Sequence, residues 1–419
     1  MWETLRNAWR IKDLRKKLIY TFFMLVLFRL VGVIPAPGVD AAAVMNSTAS
    51  DLPLLGLVNM MTGNNFSQMT VMAMGITPYI NSSIIMQLLC VAIPSLERLQ
   101  QEGPEGRKKI AQITRYVTVG LAIFQAIGLV SSLGYIKSGW FNYVLVGFTM
   151  AGGTALAMWI GEQITEKGIG NGISLLIFAG IISNLFNGIV SGIGNAITAG
   201  TLSSWLTILV ILIVALAMIL VVTFVDMGER RIPVQYAKRV VGQKMYGGQS
   251  TFIPMKVAST GVLPLIFAYS FLSFPATIIQ LVNPTGGLAI WWGRYMNAGT
   301  VWYMIVCALL IIGFTYFYTS ITFNPTDISK NIQQQGGNIP GIRSGRPTVD
   351  FLSRISRRLT LFDALFLAIL ATIPTMLSTN LNASVPFAAS SLLIAVSVAL
   401  ESVRAVESQM VMRNYKGFL

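Results

Sequence analysis

Ten apolar runs of membrane-spanning length dominate this chain of 419 residues. Because about 20 residues at helical rise cross the hydrocarbon core, each run predicts a transmembrane helix. The runs are Leu18–Ile34, Met69–Ile93, Ile113–Ile136, Trp140–Ile160, Ile173–Ile189, Trp205–Val225, Val257–Leu281, Val301–Ile321, Leu359–Leu377 and Pro386–Val403. Only 11% of the residues are charged and 54% are hydrophobic, whereas soluble proteins carry about 25% charged residues. The sequence therefore predicts an all-α polytopic membrane protein with ten transmembrane helices.

The basic residues predict the orientation of these spans. Of the 30 Lys and Arg residues, 27 precede the first span, follow the last, or lie in the four loops on that same side. Only Lys137 and Arg294 fall on the opposite side, and Arg29 lies within the first span. Since Lys and Arg accumulate in cytoplasmic loops, both termini are expected in the cytoplasm. The net charge of +14 is accordingly attributed to membrane topology and not to nucleic-acid binding.

Missing residue types exclude several enzyme classes. The chain has no histidine, which removes His-based zinc sites, Ser-His and Cys-His nucleophilic pairs and histidine proton relays. Cys90 and Cys307 lie inside apolar runs and are expected to be free, buried thiols. Gly168, Gly170 and Gly172 lack the preceding strand and the Lys-Ser/Thr of a phosphate loop. They predict a tight turn that lets two helices approach closely.

Ionisable residues are nearly absent from the spans. Arg29 and Asp363 lie in or near them, and the expected explanation is snorkelling or a structural pair with polar groups. No mid-membrane carboxylate pair, acidic ring or carbonyl-filter sequence is found, which disfavours proton-coupled transport and ion selection. A secondary transporter of a small solute is the alternative class, since it also uses inverted repeats and broken helices. An intramembrane protease is also disfavoured, because the chain has no mid-membrane Asp pair, no histidine and no G-x-S-x-G sequence.

Two spans combine an apolar stripe with small neutral polar residues. Ile76, Ile80 and Ile84 repeat at intervals of four, so they share one face of a helix that also contains Asn, Ser and Pro. Ile173 and Ile177 repeat the same spacing. The pattern suits helices that line a path which is polar elsewhere and narrowed by branched aliphatic side chains, where ions are stopped by dewetting. Lipid contact or helix packing is the alternative interpretation.

The chain divides into two halves, 1–196 and 197–419, with five spans each. Because five is odd, the halves must have opposite orientations in the membrane, and inverted repeats of this kind place the functional site between them. The charge-free segment Val190–Ser204 is expected to connect the halves on the external side.

Three segments outside the spans are candidates for function. The short external piece Leu52–Met61 is apolar but too short to span, so it is either a surface helix or a plug that folds back between the halves. The loops 226–256 and 322–358 each carry six basic residues and are longer than a connection requires. Loops of such length are usually functional or disordered, and their Gly, Pro and aromatic content favours a shaped docking surface.

Five stretches spread over the whole chain resemble the SecY protein-conducting channel, the central subunit of the Sec translocon, in its bacterial form. They are RLVGVIPAPGVD from Arg29, GITPYINSSIIMQLL from Gly75, GEQITEKGIGNGIS from Gly161, ERRIPVQYAKRVVGQKMYGGQSTFIPMKV from Glu229 and FNPTDISKNIQQQGGNIPGIRSGRPT from Phe323. The resemblance implies two inverted five-helix halves around a central hourglass pore in the bacterial inner membrane. It also implies passive conduction of unfolded polypeptides and lateral release of transmembrane segments, with no cofactor.

The resemblance also implies partners and site residues. The partners are the SecE and SecG membrane subunits, the SecA motor ATPase, the ribosome, signal-sequence-bearing polypeptides and the lipid bilayer. The pore ring falls on Ile76, Ile80, Ile173, Ile177, Ile266 and Ile394. The plug, about residues 52–66, contains Leu54, Leu57, Met60, Gly63 and Asn65. The lateral gate, between the second and third spans and the seventh and eighth, contains Asn81, Gln87 and Phe274. The docking residues for SecA or the ribosome are Arg343, Arg346, Lys238, Arg239 and Lys244.

The chain departs from the family pattern at three places. Ala258 stands where the family usually has Asn near the seventh span, and Ala388-Ala389 stand where it usually has Gly-Gly before the tenth. Both changes touch the pore or gate lining, so they bear on gating rather than on fold. Lys244 replaces the more usual Arg and offers a single ammonium in place of a planar fork.

Overall fold

The computed structural model describes residues 9–39, 62–63, 65, 68–132, 139–236, 239–241, 244–246, 250–282, 286–296, 300–380 and 389–414. The helices are α1 (Lys12–Val31), α2 (Thr77–Ala92), α3 (Pro94–Gln101), α4 (Pro104–Ser132), α5 (Trp140–Lys167), α6 (Gly172–Ala199), α7 (Leu202–Met227), α8 (Leu263–Val282), α9 (Gly287–Tyr295), α10 (Val301–Thr322), α11 (Pro325–Gln334), α12 (Arg346–Asn380) and α13 (Ala389–Asn414). The strands are β1 (Glu229–Tyr236), β2 (Arg239–Val241), β3 (Lys244–Tyr246), β4 (Ser250–Lys256) and β5 (Gly337–Asn338).

Each of the ten apolar runs overlaps one helix of this set, namely α1, α2, α4, α5, α6, α7, α8, α10, α12 and α13. Within the described residues, five helices are by length and composition able to cross a membrane alone, and α2 with α3 forms a sixth candidate that bends by 101°. The bend falls at Ile93, because the proline that follows disfavours helical geometry at the residue before it. The chain is a multi-pass helical membrane protein, and its helices are consistent with ten spans.

The expected start of the second span is wrong. A helix is expected from Met69, but residues 69–76 form turns and α2 begins only at Thr77. Gly75 adopts a left-handed φ of 51°, which interrupts the helical path, and Pro78 is suited to the first turn of a helix. The residues before α2 therefore enter the buried apolar core as irregular backbone.

The segment expected to connect the halves is mostly helical. The fifth and sixth spans are expected to end at Ile189 and begin at Trp205, but α6 continues to Ala199 and α7 begins at Leu202. Gly200 ends α6 with a left-handed φ of 61°, a conformation that glycine adopts without steric cost. The connection is therefore a two-residue turn.

The glycine-rich turn between α5 and α6 confirms the predicted close approach. A Cβ atom added at Gly172 would lie 2.0 Å from the carbonyl oxygen of Gly161. Gly170 has a φ of 75°, and the Asn171 side chain caps α6 by accepting a 3.1 Å hydrogen bond from the backbone N–H of Ile173. Only glycine allows the two helix backbones to meet at this distance.

The main apolar core joins helices from both predicted halves. One cluster of buried side chains connects α1, α2, α5 and α6 with α7, α8, α10, α12 and α13. Its fully buried members include Met72, Ile160, Leu176, Leu265, Ile311 and Leu393. Cys90 and Cys307 are free and buried, as expected from their apolar surroundings.

The two long loops fold together as one unit, here called the loop unit: β1, β4, β5, α11 and the first turns of α12. β1 pairs antiparallel with β4, with Ile232 opposite Ile253, and β5 from the second loop pairs with β1, with Asn338 opposite Gln235. The loop unit has its own apolar core, formed by Ile232, Val234, Met255, Ile332, Ile339, Leu352 and Ile355. The two loops are therefore shaped by each other.

Replacing Gly337 with valine is expected to loosen the loop unit. A Cβ atom at this position would lie 2.9 Å from the Tyr236 ring and 3.1 Å from the side chains of Ile332 and Val234. Overpacking of this kind costs about 2 kcal/mol, so limited proteolysis should cut the loop unit faster than in the parent chain. The neighbouring Asn338→Val change is the control, since Asn338 is exposed. Equal cleavage rates in both variants would contradict the role of Gly337.

Candidate functional site

The six isoleucines of the predicted pore ring lie in or against the main apolar core. Five have exposed fractions of only 4–8%: Ile76, Ile80, Ile177, Ile266 and Ile394. The sixth, Ile173, is partly buried and packs on the same cluster. The six residues come from the start of α2, from α6, from α8 and from α13, so both predicted halves contribute. Their assignment as a constriction stays a prediction, and the structure supplies a common apolar environment for it.

Small polar groups are also buried on two helices of this core, α2 and α5. Asn81 is buried on α2, and its neighbour Ser82 has no exposed surface. The hydroxyl groups of Ser82 and of Thr154 on α5 have no hydrogen-bond partner among the described residues. Burying an unpaired hydroxyl costs free energy. The mixed polar and apolar character expected of α2 therefore extends to its buried face.

The plug prediction falls mostly outside the described residues, which exclude Leu54, Leu57 and Met60. Thr62, Gly63 and Asn65, here called the stem, are described. Arg29, in the last turn of α1, donates from Nη1 to the carbonyl oxygen of Gly63 at 3.2 Å and from Nη2 to that of Ala179 in α6 at 3.0 Å. The expected structural pairing of Arg29 with polar groups is confirmed. The sequence could not identify Ala179 as a partner of Arg29, because the acceptor is a backbone carbonyl oxygen, which every residue has.

The stem also fits closely against α1 and the turns before α2. The Asn65 side chain rests on Gly32, where an added Cβ atom would lie 2.8 Å from Asn65 Nδ2. Thr70 donates its backbone N–H (3.2 Å) and its hydroxyl (3.3 Å) to the carbonyl oxygen of Asn65. A Cβ atom on Gly75 would lie 2.7 Å from Thr62 Cγ2. The stem is therefore held on several sides.

The predicted lateral gate has α8 packed against both α2 and α4. Asn81 is buried but Gln87 is exposed, so these two predicted gate residues occupy different environments on α2. Phe274 lies in α8 next to Pro275, and its side chain is outside the described set. Phe267 of α8 makes edge-to-face ring contacts with Phe314 and Tyr318 of α10, at centroid distances of 5.9 and 6.4 Å.

Asp363 forms a buried tether between α12 and the start of α8. It has no exposed surface, and its Oδ2 accepts hydrogen bonds from the hydroxyl (2.7 Å) and the backbone N–H (3.3 Å) of Thr260. A carboxylate at a helix N-terminus is favoured by the helix dipole. The expected structural pairing of Asp363 is confirmed. Thr260 was missed, although a Ser-Thr pair before an apolar run is a recognisable helix-start signal.

The predicted docking residues are divided between described and undescribed parts of the loops. Arg343 and Arg346 are exposed at the start of α12, and the buried Thr348 donates its hydroxyl to the Arg343 carbonyl oxygen at 2.9 Å. Arg239 and Lys244 lie in the β2–β3 hairpin, with side chains outside the described set. Lys238 is outside it altogether. The backbone that carries Arg343 is therefore tied to the loop unit.

Comparisons with known proteins agree over nearly the whole chain. The SecY family model matches residues 70–403. The protein translocase subunit SecY of Streptomyces scabiei is 42% identical over 433 residues, covering 99% of this chain and 98% of that protein. The subunit of the same name from Corynebacterium glutamicum is 41% identical over 442 residues, with 99% of each chain covered.

Solved structures share the fold at lower sequence identity. A protein-conducting channel superposes with a TM-score of 0.70 at 21% identity, covering 94% of this chain and 92% of that one. A SecY protein whose plug domain stabilises the closed state of its translocation channel and maintains a membrane seal gives 0.68 at 21% identity with the same coverage. The channel of the canine ribosome–channel complex from the endoplasmic reticulum gives 0.65 at 18%, again covering 94% and 92%. On its sequence matches and its fold, this chain belongs to the SecY family of protein translocase subunits.

Proposed function

We propose that this chain is the protein-conducting channel of a Sec translocon, which moves unfolded secretory polypeptides across the membrane and releases transmembrane segments sideways into the bilayer. The observation that carries the proposal is the isoleucine-rich core between the two halves, in a chain that belongs to the SecY family. Branched aliphatic side chains around a path exclude ions by dewetting and still deform around a passing chain.

The isoleucines at positions 76, 80, 173, 177, 266 and 394 act as the constriction, and the segment 52–66 as its plug. A signal sequence enters between α8 and the pair α2 and α4, which separates their packed faces. Opening of this gate moves α8 relative to α2, and both helices carry constriction residues. Entry of a signal sequence is thereby coupled to widening of the pore.

The channel is passive, and energy comes from a partner, the SecA ATPase or the ribosome. Support comes from the two basic loops that form the loop unit, in which Arg343 and Arg346 are exposed, and from the fold shared with a channel in a ribosome complex. SecE and SecG complete the membrane assembly. The chain lies in a bacterial cell membrane with both termini in the cytoplasm, a location that its charge distribution and its bacterial relatives support.

The proposal is tested with the chain and its small membrane subunits in liposomes. SecA, ATP and a secretory precursor are added, and the protease-protected fraction of precursor is measured. The parent channel is expected to give ATP-dependent protection. In an Arg343→Glu channel the motor should bind roughly 30-fold more weakly, since a central docking residue contributes about 2 kcal/mol, and protection should fall accordingly.

Lys330→Glu is the matched control, because Lys330 is an exposed basic residue of the same loop and receives the same change of charge. It should bind the motor within about twofold of the parent channel, as expected for an exposed surface charge. If motor binding weakens equally in both variants, the motor is held by general attraction to a basic loop and not by a specific contact with Arg343. Saturable uptake of a small solute, with no protection of precursor by the parent channel, would contradict the proposal and favour the transporter class.

A further inference from the structure

We infer that Arg29 is the positioning residue that latches the plug stem to the constriction helix α6 in the closed channel. The inference rests on the proposed channel function and assigns a specific residue to the closing of the pore. Arg29 belongs to neither the plug nor the pore ring. It acts by joining one to the other.

The geometry of the guanidinium carries the inference. Its two terminal nitrogens donate to carbonyl oxygens of two different segments, Gly63 of the stem and Ala179 of α6. Ala179 lies between Ile177 and Ile181, which are both buried in the main core. One rigid group therefore ties the stem to the helix that carries two of the predicted ring residues. The planar guanidinium group of arginine can bind two acceptors in this way. The ammonium group of lysine, at the end of a flexible side chain, does not hold both acceptors in a fixed geometry.

The charge of Arg29 makes this tie strong. Among the ion pairs of the described residues, Arg29 takes part in none. Its cation lies within a membrane span and is compensated by the two carbonyl dipoles. Departure of the stem removes one of these acceptors. Hydrogen bonds to a charged group are about twice as strong as neutral ones, so the stem is held most firmly where it meets Arg29.

Gly63 lies in close contact with the Arg29 guanidinium. Gly63 has a φ of 69°, and a Cβ atom there would lie 2.5 and 2.6 Å from the two Arg29 nitrogens. Any larger residue at position 63 must push the guanidinium away or leave the left-handed conformation. Gly63→Ala should therefore disturb the same contact from the stem side.

The readout is the ion permeability of the reconstituted channel complex in the absence of precursor, here called the idle permeability. Arg29→Met keeps an unbranched apolar side chain but removes the charge and both donors, and it should raise idle permeability by at least about tenfold, as expected from the loss of a charge-assisted hydrogen bond. Arg29→Lys should give an intermediate rise, since it keeps the charge and loses the fork. Gly63→Ala should reproduce the effect of Arg29→Met. The double variant should be no leakier than the worse single one, because both changes break the same contact between Arg29 and Gly63.

The matched control is Arg294→Met, which removes the exposed arginine on the predicted external side and should leave permeability unchanged. Precursor translocation by the parent channel is measured in the same vesicles. If the parent translocates precursor and Arg29→Met is as tight as Arg294→Met, the latch is refuted. If Arg29→Met does not assemble, the test rests on Gly63→Ala and Arg29→Lys. Raised ion permeability in both variants supports the latch, and permeability equal to that of the parent channel refutes it. A parent channel that neither translocates nor opens with precursor refutes the channel function itself.

Discussion

Replacing Gly172 with alanine is expected to destabilise the channel by roughly 3 kcal/mol, a large effect for the addition of a single methyl group. The added Cβ atom would lie 2.0 Å from the Gly161 carbonyl oxygen and 2.7 Å from Ile164 Cβ. The first atom belongs to the backbone, and the second is the branched Cβ of the fully buried Ile164 side chain. Neither atom can move away by rotation of a side-chain bond. Relief requires α5 and α6 to separate.

Thermal unfolding of the purified protein in lipid nanodiscs measures this effect. Gly194→Ala is the matched control, because Gly194 lies on the same helix and a Cβ atom there has no neighbour within 4 Å. That change should be neutral or stabilising by about 0.5–1 kcal/mol, the usual gain of alanine over glycine within a helix. Indistinguishable unfolding temperatures for the two variants would mean that the helix pair tolerates a wider separation than the described packing.

Introducing asparagine at Ile80 or Ile394 is expected to raise idle ion permeability roughly 30-fold. Each isoleucine is almost wholly buried in the main apolar core, and each comes from a different predicted half. A polar side chain in such a constriction lowers the cost of hydrating it by about 2 kcal/mol, which corresponds to this factor in the population of the hydrated state. Selectivity for signal sequences should relax at the same time, since the closed state loses its advantage over the open one.

Ion flux through the reconstituted channel measures the effect, with Ile85→Asn as control. Ile85 is on the same helix as Ile80 but off the stripe formed by Ile76, Ile80 and Ile84, and it is only partly buried. The control variant should leave flux unchanged. Tight channels and unaltered selectivity in both the Ile80 and Ile394 variants, with folding intact, would remove these residues from the constriction.

The burial and the close helix packing found around the candidate site could be predicted in part from the sequence, because their signals are local. The stripe of Ile76, Ile80 and Ile84 follows from helical periodicity, and the close helix approach at Gly172 follows from glycine spacing. The partner of Arg29 could not be predicted, because a carbonyl oxygen of Ala179 carries no side-chain signature. The same holds for the pairing of β5 with β1, whose residues lie about 100 positions apart.

The amino-acid sequence alone was enough to predict a multi-pass helical membrane protein, and its apolar runs and loop charges further predict ten spans with both termini on the basic side. These properties depend on the transfer of whole segments into lipid and on counts of charge in loops, to which each residue contributes independently of its neighbours in space. The folded chain was needed to show that the two basic loops share one sheet and one core, that Asp363 holds the start of α8, and that Arg29 joins the stem to α6. Those contacts depend on directional hydrogen bonds between distant segments, and such bonds exist only once the helices have packed.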